Sequence, residues 1–458
     1  VSELAARNGG RAGLVALVAI LLLGLGLRVG EAWDGRPPVY DAAAYARIAA
    51  ELDRGDGFTL GREATQPASN YSPGLPLFVG GVYALTGGVH ERMARLVLAA
   101  LGALAVLFTY LIGRRLSGPL AGLIGAGAVA IYPALLEYQG MLMSEPLAAS
   151  LLSGAVLAML WADAPGARVL SRQEGVLAAS AARTPPPTAP PARYWLAPGL
   201  LLGALALVRP EYLAISFPVA VVIFARRGRD GWRAGLGQAL IMLVGLAIVV
   251  VPWTVRNEVA LGRFVPISTG GGQVLFAGAY MPSGGDPERV GEEVLKRHPE
   301  LRQELPRDAR LEQILAALAH QRYPGTEADA ALARMGRERL WDDVSERPVA
   351  YLGFLASKLW LIWGHGPRDV MHAPGWAVFH WLLLAFGLLG LGILGHRRRW
   401  EAALLGTVLL AATAIGLLLV ASPRRALVTL PLLAALAGVG IGWLAWRVSG
   451  LLDGKPAR

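Results

Sequence analysis

"AGLVALVAILLLGLGLRVGEAWDGRPPVYDAAAYARIAAELDRGDGF", residues 12–58, runs from one kind of pattern into another. Ala12 to Val29 is apolar over nearly the length a helix needs to cross a bilayer core, about 20 residues. Arg7 and Arg11 precede it, as in a signal peptide. The run is long for such a segment and has no clear small-x-small cleavage site, so it is expected to remain as an uncleaved anchor. Behind it a carboxylate, Asp41, opens a stretch that repeats Ala and Tyr at helical spacing and stops at Gly55-Asp56-Gly57. Tyr45, Ile48 or Ala49, and Leu52 share one helical face, with Arg47, Glu51 and Arg54 directed elsewhere. The spacing predicts a short helix lying on the outer membrane surface with Asp41 at its start.

The rest of the chain repeats the first pattern. Of 458 residues, 54% are hydrophobic and 17% charged, a balance that points to an integral membrane protein. Runs near spanning length recur at about 94–113, 118–134, 146–162, 234–252, 375–395, 401–421 and 426–446. Two shorter runs, 195–208 and 211–225, flank Arg209-Pro210 and predict a tight transmembrane hairpin, bringing the total to about ten spans. There is no cysteine, so disulfides and thiolate metal sites are excluded. The excess of 43 Lys+Arg over 33 Asp+Glu orients loops rather than binding nucleic acid.

With a cytoplasmic N-terminus, every inner loop is basic. They carry Arg114-Arg115, then Arg168, Arg172, Arg183 and Arg193, then Arg226-Arg227 with Arg229 and Arg233. His396-Arg397-Arg398-Arg399 follow, and finally Arg447, Lys455 and Arg458. The expected protein is multi-pass in the plasma (inner) membrane, with both termini cytoplasmic. The inner loop 163–194 contains "TPPPTAPP" and reads as a flexible linker. The outer face receives two insertions. In 31–93, "SPGLPLFVGGVYALTGG" is too short to span and predicts an interfacial helix. In 253–373, helical patterns at 286–298, 308–322 and 326–341 precede the aromatic piece "YLGFLASKLWLIW". The expected organisation is an N-terminal transmembrane module 1–252, an external domain 253–373 and a C-terminal module 374–458. No internal repeat is evident, which removes support from an inverted-repeat transporter.

Several charged residues are candidates for chemistry. Asp41 reads both as a helix N-cap and as a carboxylate facing a cleft. In "MLMSEPLAASLL", Ser144 reads as a cap and Glu145 as a first-turn acid favoured by the helix dipole. Asp41 and Glu145 nonetheless share one side of the membrane, and paired carboxylates suit base-assisted transfer to a hydroxyl. Arg209 and Glu211 at the hairpin tip, Arg256 and Asn257 after the seventh span, and Arg424-Arg425 before the last span also lie outside. Outer arginines run against the charge bias. Three such sites suggest binding of a phosphate or pyrophosphate, against the plainer role of anchoring helix ends in headgroups. "STGGG", 268–272, could present backbone N–H groups to an anion. His365 and His372 match no zinc spacing, and no GxSxG, Walker or HExxH pattern occurs.

"YDAAAYARIAAEL", "SPGLPLFVGGVYALTGG", "SEPL", "ALALVRPE", "VPWTVRNEVALGRFVPISTGGG" and "RRALVTLPLL" occur in an order that resembles a known family. It is that of the polyprenyl-phosphate-sugar-dependent membrane glycosyltransferases of the glycosyltransferase C (GT-C) superfamily, in the branch of protein O-mannosyltransferases and the lipid A aminoarabinose transferase. The resemblance covers nearly the whole chain, and "PWTVRN…GRFVPISTGGG" is its most specific part. Three departures stand out: Ala42 follows Asp41 where an acidic pair is usual, Tyr71-Ser72-Pro73-Gly74 replaces a Lys-Pro-Pro motif, and Arg424-Arg425 replaces Arg-Tyr. The resemblance implies an all-α polytopic GT-C-like fold with external juxtamembrane helices and a small external α-rich domain. It also implies Asp41 as general base, a polyprenyl-phosphate-sugar donor entering from the bilayer, and a lipid, glycan or protein acceptor on the external face. Tyr45, Glu145 and the cationic residues would then contact substrate. No cofactor is certain, and a divalent cation is compatible with the family. The competing expectation is a transporter or flippase for a lipid-linked anion, using the same arginines.

Overall fold

The computed structural model describes residues 2–61, 67–163, 192–228, 231–364 and 366–452. Most of the expected inner linker, with Arg168, Arg172 and Arg183, lies outside the described residues, as do Arg229, His365, Lys455 and Arg458. The N-terminal half contains α1 (Ser2–Trp33), α2 (Asp41–Arg54), α3 (Gly74–Thr86), α4 (Glu91–Ser117) and α5 (Pro119–Ile131). It continues with α6 (Pro133–Gly140), α7 (Glu145–Ala162), α8 (Leu196–Val208), α9 (Glu211–Ala225) and α10 (Trp232–Leu261). Six helices follow outside the main bundle: α11 (Gly271–Ala279), α12 (Val290–Arg297), α13 (Leu301–Glu304), α14 (Leu311–Arg322), α15 (Ala328–Glu346) and α16 (Pro348–Trp363). The chain returns to the bundle in α17 (Pro374–Arg397), α18 (Arg399–Leu418) and α19 (Pro423–Leu452). No strand occurs among the described residues.

Seven helices (α1, α4, α7, α10, α17, α18 and α19) are long and apolar enough to cross a membrane, and α5 with α6 make an eighth if the pair is one span bent by 48°. α8 and α9, with 13 and 15 residues, are the expected short hairpin. The chain is thus a multi-pass membrane protein. Two expected boundaries move. The run at 118–134 breaks at Tyr132-Pro133, because proline lacks the N–H and clashes with the preceding turn. The run at 234–252 continues through Pro252 to Leu261, so Arg256 and Asn257 lie on α10 rather than after it.

Burial separates the centre from the rim. In α7, 83% of the apolar window is buried, against 11% in α1. Small residues let the inner helices approach. A side chain at Gly199 of α8 would collide with the Met242 carbonyl of α10, and one at Gly390 of α17 with the Leu436 carbonyl of α19. The break between α5 and α6 is held from two sides. Arg28 of α1, 2% exposed, donates to the carbonyls of Val129 (3.1 Å) and Ala130 (3.3 Å), which end α5. Tyr132 at the break meets His380 Nδ1 at 2.9 Å, and His380 Nε2 donates to the Trp363 carbonyl at 2.9 Å.

Two further devices join elements. At the end of the bundle remote from Asp41, the Arg226 guanidinium lies 4.7 Å from the ring centres of both Trp195 and Trp400 and pairs with Asp163, the residue that caps the end of α7. This ties the ends of α7 and α9 to the starts of α8 and α18. On the Asp41 side, α11, α12, α14 and α15 enclose a core of their own around Phe276, Tyr280, Val290, Leu315 and Leu332. Lys358 of α16 joins that unit to the bundle. Fully buried, it donates to the carbonyls of Gly278 (2.8 Å), Leu419 (2.6 Å) and Leu417. An ammonium has three donors, and here all are used at helix C-terminal ends, where carbonyls carry partial negative charge.

Candidate active site

Asp41 begins α2 in its first helical turn, a position the helix dipole favours for a carboxylate. It does not cap the helix: Tyr40 holds the cap position, and no side chain makes a cap hydrogen bond. The carboxylate is instead turned toward the start of α19, where Arg424 Nη1 donates to Asp41 Oδ2 at 3.4 Å. Ser144 does hold the cap position of α7 but makes no side-chain cap hydrogen bond; its Oγ accepts from Arg209 Nη1 at 3.4 Å.

Glu145, fully buried at the start of α7, is the centre of the cluster. Its Oε1 accepts from Arg424 Nε at 2.8 Å and from Arg209 Nη1 at 3.3 Å. Its Oε2 is buried and has no hydrogen-bond partner among the described residues. Arg209, in the α8–α9 turn, also donates through Nε to Glu211 Oε1 at 3.0 Å, and Arg425 Nη1 donates to the same oxygen at 3.2 Å. The six residues form one alternating series: Asp41, Arg424, Glu145, Arg209, Glu211, Arg425. Carboxylate and guanidinium numbers match, so the buried charge is compensated throughout. The side chains of Asp41 and Arg424 are 47% and 34% exposed, against 0% for Glu145. The series therefore opens to solvent at Asp41 and closes inward.

Tyr45 stands one turn after Asp41 and meets Tyr71 edge-on, ring centres 5.9 Å apart. Burial, reinforced by the charges of Asp41 and Glu145, raises the Tyr45 phenol above its ordinary range, so it stays a neutral donor. Tyr71 is raised in the same direction, again mainly by burial. Sequence reasoning missed Tyr138, whose ring centre lies 5.7 Å from the Arg424 guanidinium carbon. Its one signal was an aromatic placed just past a proline break and seven positions before Glu145.

The backbone around the cluster is strained. The non-glycine residues with positive φ among those described are Tyr40 (49°), Leu142 (52°) and Arg368 (81°). Tyr40 immediately precedes Asp41, and Leu142 lies in the turn leading to Glu145. Arg368 donates to Glu137 of α6 at 2.5 Å. Such conformations cost on the order of 1–3 kcal/mol each and tend to gather at functional sites.

Arg256 and Asn257 are not brought into this series. Arg256 lies over Trp253 and Phe58, 4.8 and 5.6 Å from their ring centres. Asn257, 1% exposed, donates to the carbonyls of Val265 (3.0 Å) and Ile267 (2.9 Å) and pins the turn after α10. The glycine run at 270–272 packs against α15: the Asp329 carboxylate accepts from the Gln273 N–H at 3.1 Å, and a side chain at Gly272 would strike the Asp329 carbonyl. The donor set does not fit a divalent ion. Arg424 stands between Asp41 and Glu145, and no group of three His, Asp or Glu side chains converges among the described residues. Chemically, the arrangement offers an ionisable oxygen at the mouth, a carboxylate oxygen without a partner inside, and guanidinium groups able to turn toward an anion.

No protein-family model and no curated protein sequence matches the chain. Solved structures do. The Archaeoglobus fulgidus oligosaccharyltransferase, in a complex with Zn and sulfate, is 16% identical over 94% of this chain and 49% of its own, with a TM-score of 0.54. The same enzyme, AglB, with an inhibitory peptide and a dolichol-phosphate gives 17% identity, 97% and 52% coverage, and a TM-score of 0.54. ArnT from Cupriavidus metallidurans, bound to undecaprenyl phosphate, is 16% identical over 96% of this chain and 79% of its own, with a TM-score of 0.41. The likeness to the oligosaccharyltransferase shows that the chain shares that enzyme's fold, which agrees with the helical membrane architecture the sequence leads one to expect. The chain spans about half the length of that enzyme.

Proposed function

We propose that this protein is a membrane glycosyltransferase that moves a sugar from a polyprenyl-phosphate donor to an acceptor hydroxyl on the external face. The observation that carries this is the alternating charge series, open at Asp41 and backed by three guanidinium groups. The acceptor is a lipid, glycan or protein, and membrane lipids surround the donor tail. Dolichol-phosphate bound to the structurally similar AglB supports a lipid-phosphate ligand here.

In this mechanism Asp41 takes the acceptor proton as the acceptor oxygen bonds to the anomeric carbon. The bond from that carbon to the phosphate oxygen breaks on the opposite side, inverting the configuration. The electron pair leaves on the phosphate, whose charge Arg424, Arg425 and Arg209 neutralise. Electrostatic support of this kind lowers barriers by several kcal/mol. Glu145 Oε2, without a hydrogen-bond partner among the described residues, accepts a hydroxyl of the sugar or acceptor. The orientation with both termini cytoplasmic rests on the basic loops.

A transporter of a lipid-linked anion would use the same arginines, with its carboxylates relaying protons. Transporters place such groups near the middle of broken helices, whereas here they collect at one end of the bundle, which favours transfer. The test is donor consumption from a panel of labelled polyprenyl-phosphate sugars by wild type and Asp41→Asn in lipid. Removal of a general base costs about 10²–10⁴-fold. A folded Asn variant that consumes donor as fast as wild type would sink the role of Asp41. Donor movement across the bilayer without sugar release would favour transport.

A further inference from the structure

The face of α2 opposite Asp41 lines a second cleft, about 650 Å³ in volume, which the proposed transfer does not use. Its floor is small and apolar, with Ala43 and Ala46 of α2, and its charged lining comprises Arg47, Glu51, Arg54 and Glu91. The charges are incompletely matched. Arg54 pairs with Glu51 Oε1 and, at 3.5 Å, with Asp56; Glu91 lies 3.6 Å from Arg95. The Glu51 side chain is only 5% exposed, yet its Oε2 has no hydrogen-bond partner among the described residues. Arg47 is exposed and makes no ion pair or hydrogen bond with the described residues. One cation and one buried carboxylate oxygen are thus left over on the same helix, one turn apart.

The level of the cleft identifies what fills it. Pro38 on one wall lies just beyond the end of the α1 span at Trp33, and Glu91 on the other begins the α4 span. The cleft therefore sits where two spans leave the apolar layer. Trp33, Val39, Tyr40 and Val89 around it are all exposed, at 55%, 49%, 90% and 48%. Aromatic and apolar side chains at such a level belong to the membrane–water boundary.

We infer that this cleft binds the headgroup of a zwitterionic phospholipid, with the phosphate on Arg47 and a hydrogen-bonding ammonium on Glu51 Oε2. A guanidinium suits the phosphate, and a primary ammonium supplies the N–H donors that the carboxylate lacks. A volume of this size accommodates one headgroup. The occupied cleft would brace α2 from behind while its other face carries Asp41. This site is independent of the transfer reaction and stands if that assignment fails.

The test is native mass spectrometry of the full chain released from detergent, after addition of phosphatidylethanolamine, phosphatidylglycerol or phosphatidylcholine of matched acyl chains. Wild type should retain phosphatidylethanolamine best, because phosphatidylglycerol lacks the ammonium and the quaternary ammonium of phosphatidylcholine has no N–H. Arg47→Gln should weaken phosphatidylethanolamine retention roughly tenfold, and Glu51→Gln should remove its advantage over phosphatidylcholine. Arg47 has no ion pair or hydrogen bond to lose among the described residues, so its variant keeps the wild-type unfolding midpoint and serves if Glu51→Gln fails to fold. Equal retention of the three lipids, or Arg47→Gln behaving as wild type, would overturn the site. Soluble phosphoethanolamine competing as well as the intact lipid would overturn the lipid assignment.

Discussion

Glu145→Gln removes one charge from the middle of the series while leaving a side chain of the same shape. The Oε1 position still accepts from Arg424 at 2.8 Å and Arg209 at 3.3 Å, but from a neutral amide. Each bond then weakens by about 1 kcal/mol. The Oε2 position becomes an NH₂ in a pocket that offers no partner, which costs about 1–2 kcal/mol more. The sum, about 3–4 kcal/mol, is in the lower half of the ~3–5 kcal/mol for breaking a buried ion pair. That is the expected side, because Arg424 keeps Asp41 and Arg209 keeps Glu211. Binding should move the opposite way. Two guanidinium groups partly released from Glu145 become available to a phosphate, so polyprenyl phosphate should bind several-fold more tightly. The assay is denaturant unfolding in lipid nanodiscs followed by tryptophan fluorescence, with polyprenyl-phosphate affinity measured on the same samples. A loss below about 1 kcal/mol would mean that Glu145 is not energetically central. Weaker phosphate binding would refute the competition between carboxylate and phosphate for the arginines.

Asn257→Ala should lower stability by about 2–4 kcal/mol without changing donor affinity, since two buried carbonyls lose their donor; thermal unfolding and phosphate binding check both halves. Arg226→Ala should cost about 2–4 kcal/mol through loss of the Asp163 pair and two stacked indoles. Its signature is a changed emission spectrum from Trp195 and Trp400. Tyr45→Phe probes alkaline pH. Because folding raises the Tyr45 phenol, its contribution is full below about pH 10, the unfolded value, and fades as pH climbs toward the folded one. The Phe variant should therefore lose less stability than wild type above about pH 10 in an unfolding series.

The helical membrane fold was legible because its signals are local. An apolar run such as Ala12–Val29 needs no distant partner to declare itself, and Arg209-Pro210 marks the hairpin by chain chemistry alone. The boundary at Leu261 was not, because Pro252 normally argues for an ending, yet the α10 helix continues beyond it. Among the candidate residues, Asp41, Glu145, Arg209, Glu211, Arg424 and Arg425 were selected for type and side of the membrane, and they meet. Their roles were harder to see. Asp41 read as a cap because a capping oxygen is a local property, whereas its partner Arg424 is 383 residues away in sequence. Asn257 shows the reverse: its polar character suggested substrate, but its acceptors lie only 8 and 10 residues on. Helical periodicity sets Glu51 off the Tyr45–Leu52 face, a placement that by itself does not show its burial beside the cleft behind α2.

The separate core of α11, α12, α14 and α15 has a consequence for how such a protein can change over time. Helices that fill their own interior do not draw on the bundle for their shape, so insertions or exchanges among them leave the membrane framework intact. What such changes must preserve is small. The Lys358 ammonium joins backbone carbonyls, which every amino acid supplies, so the residues contributing them are free to vary. Gly278 is an exception, since its backbone packs against Leu419 with no room for a side chain. A lineage could thus remodel this unit extensively while keeping one lysine and one glycine as its hinge to the ancestral framework.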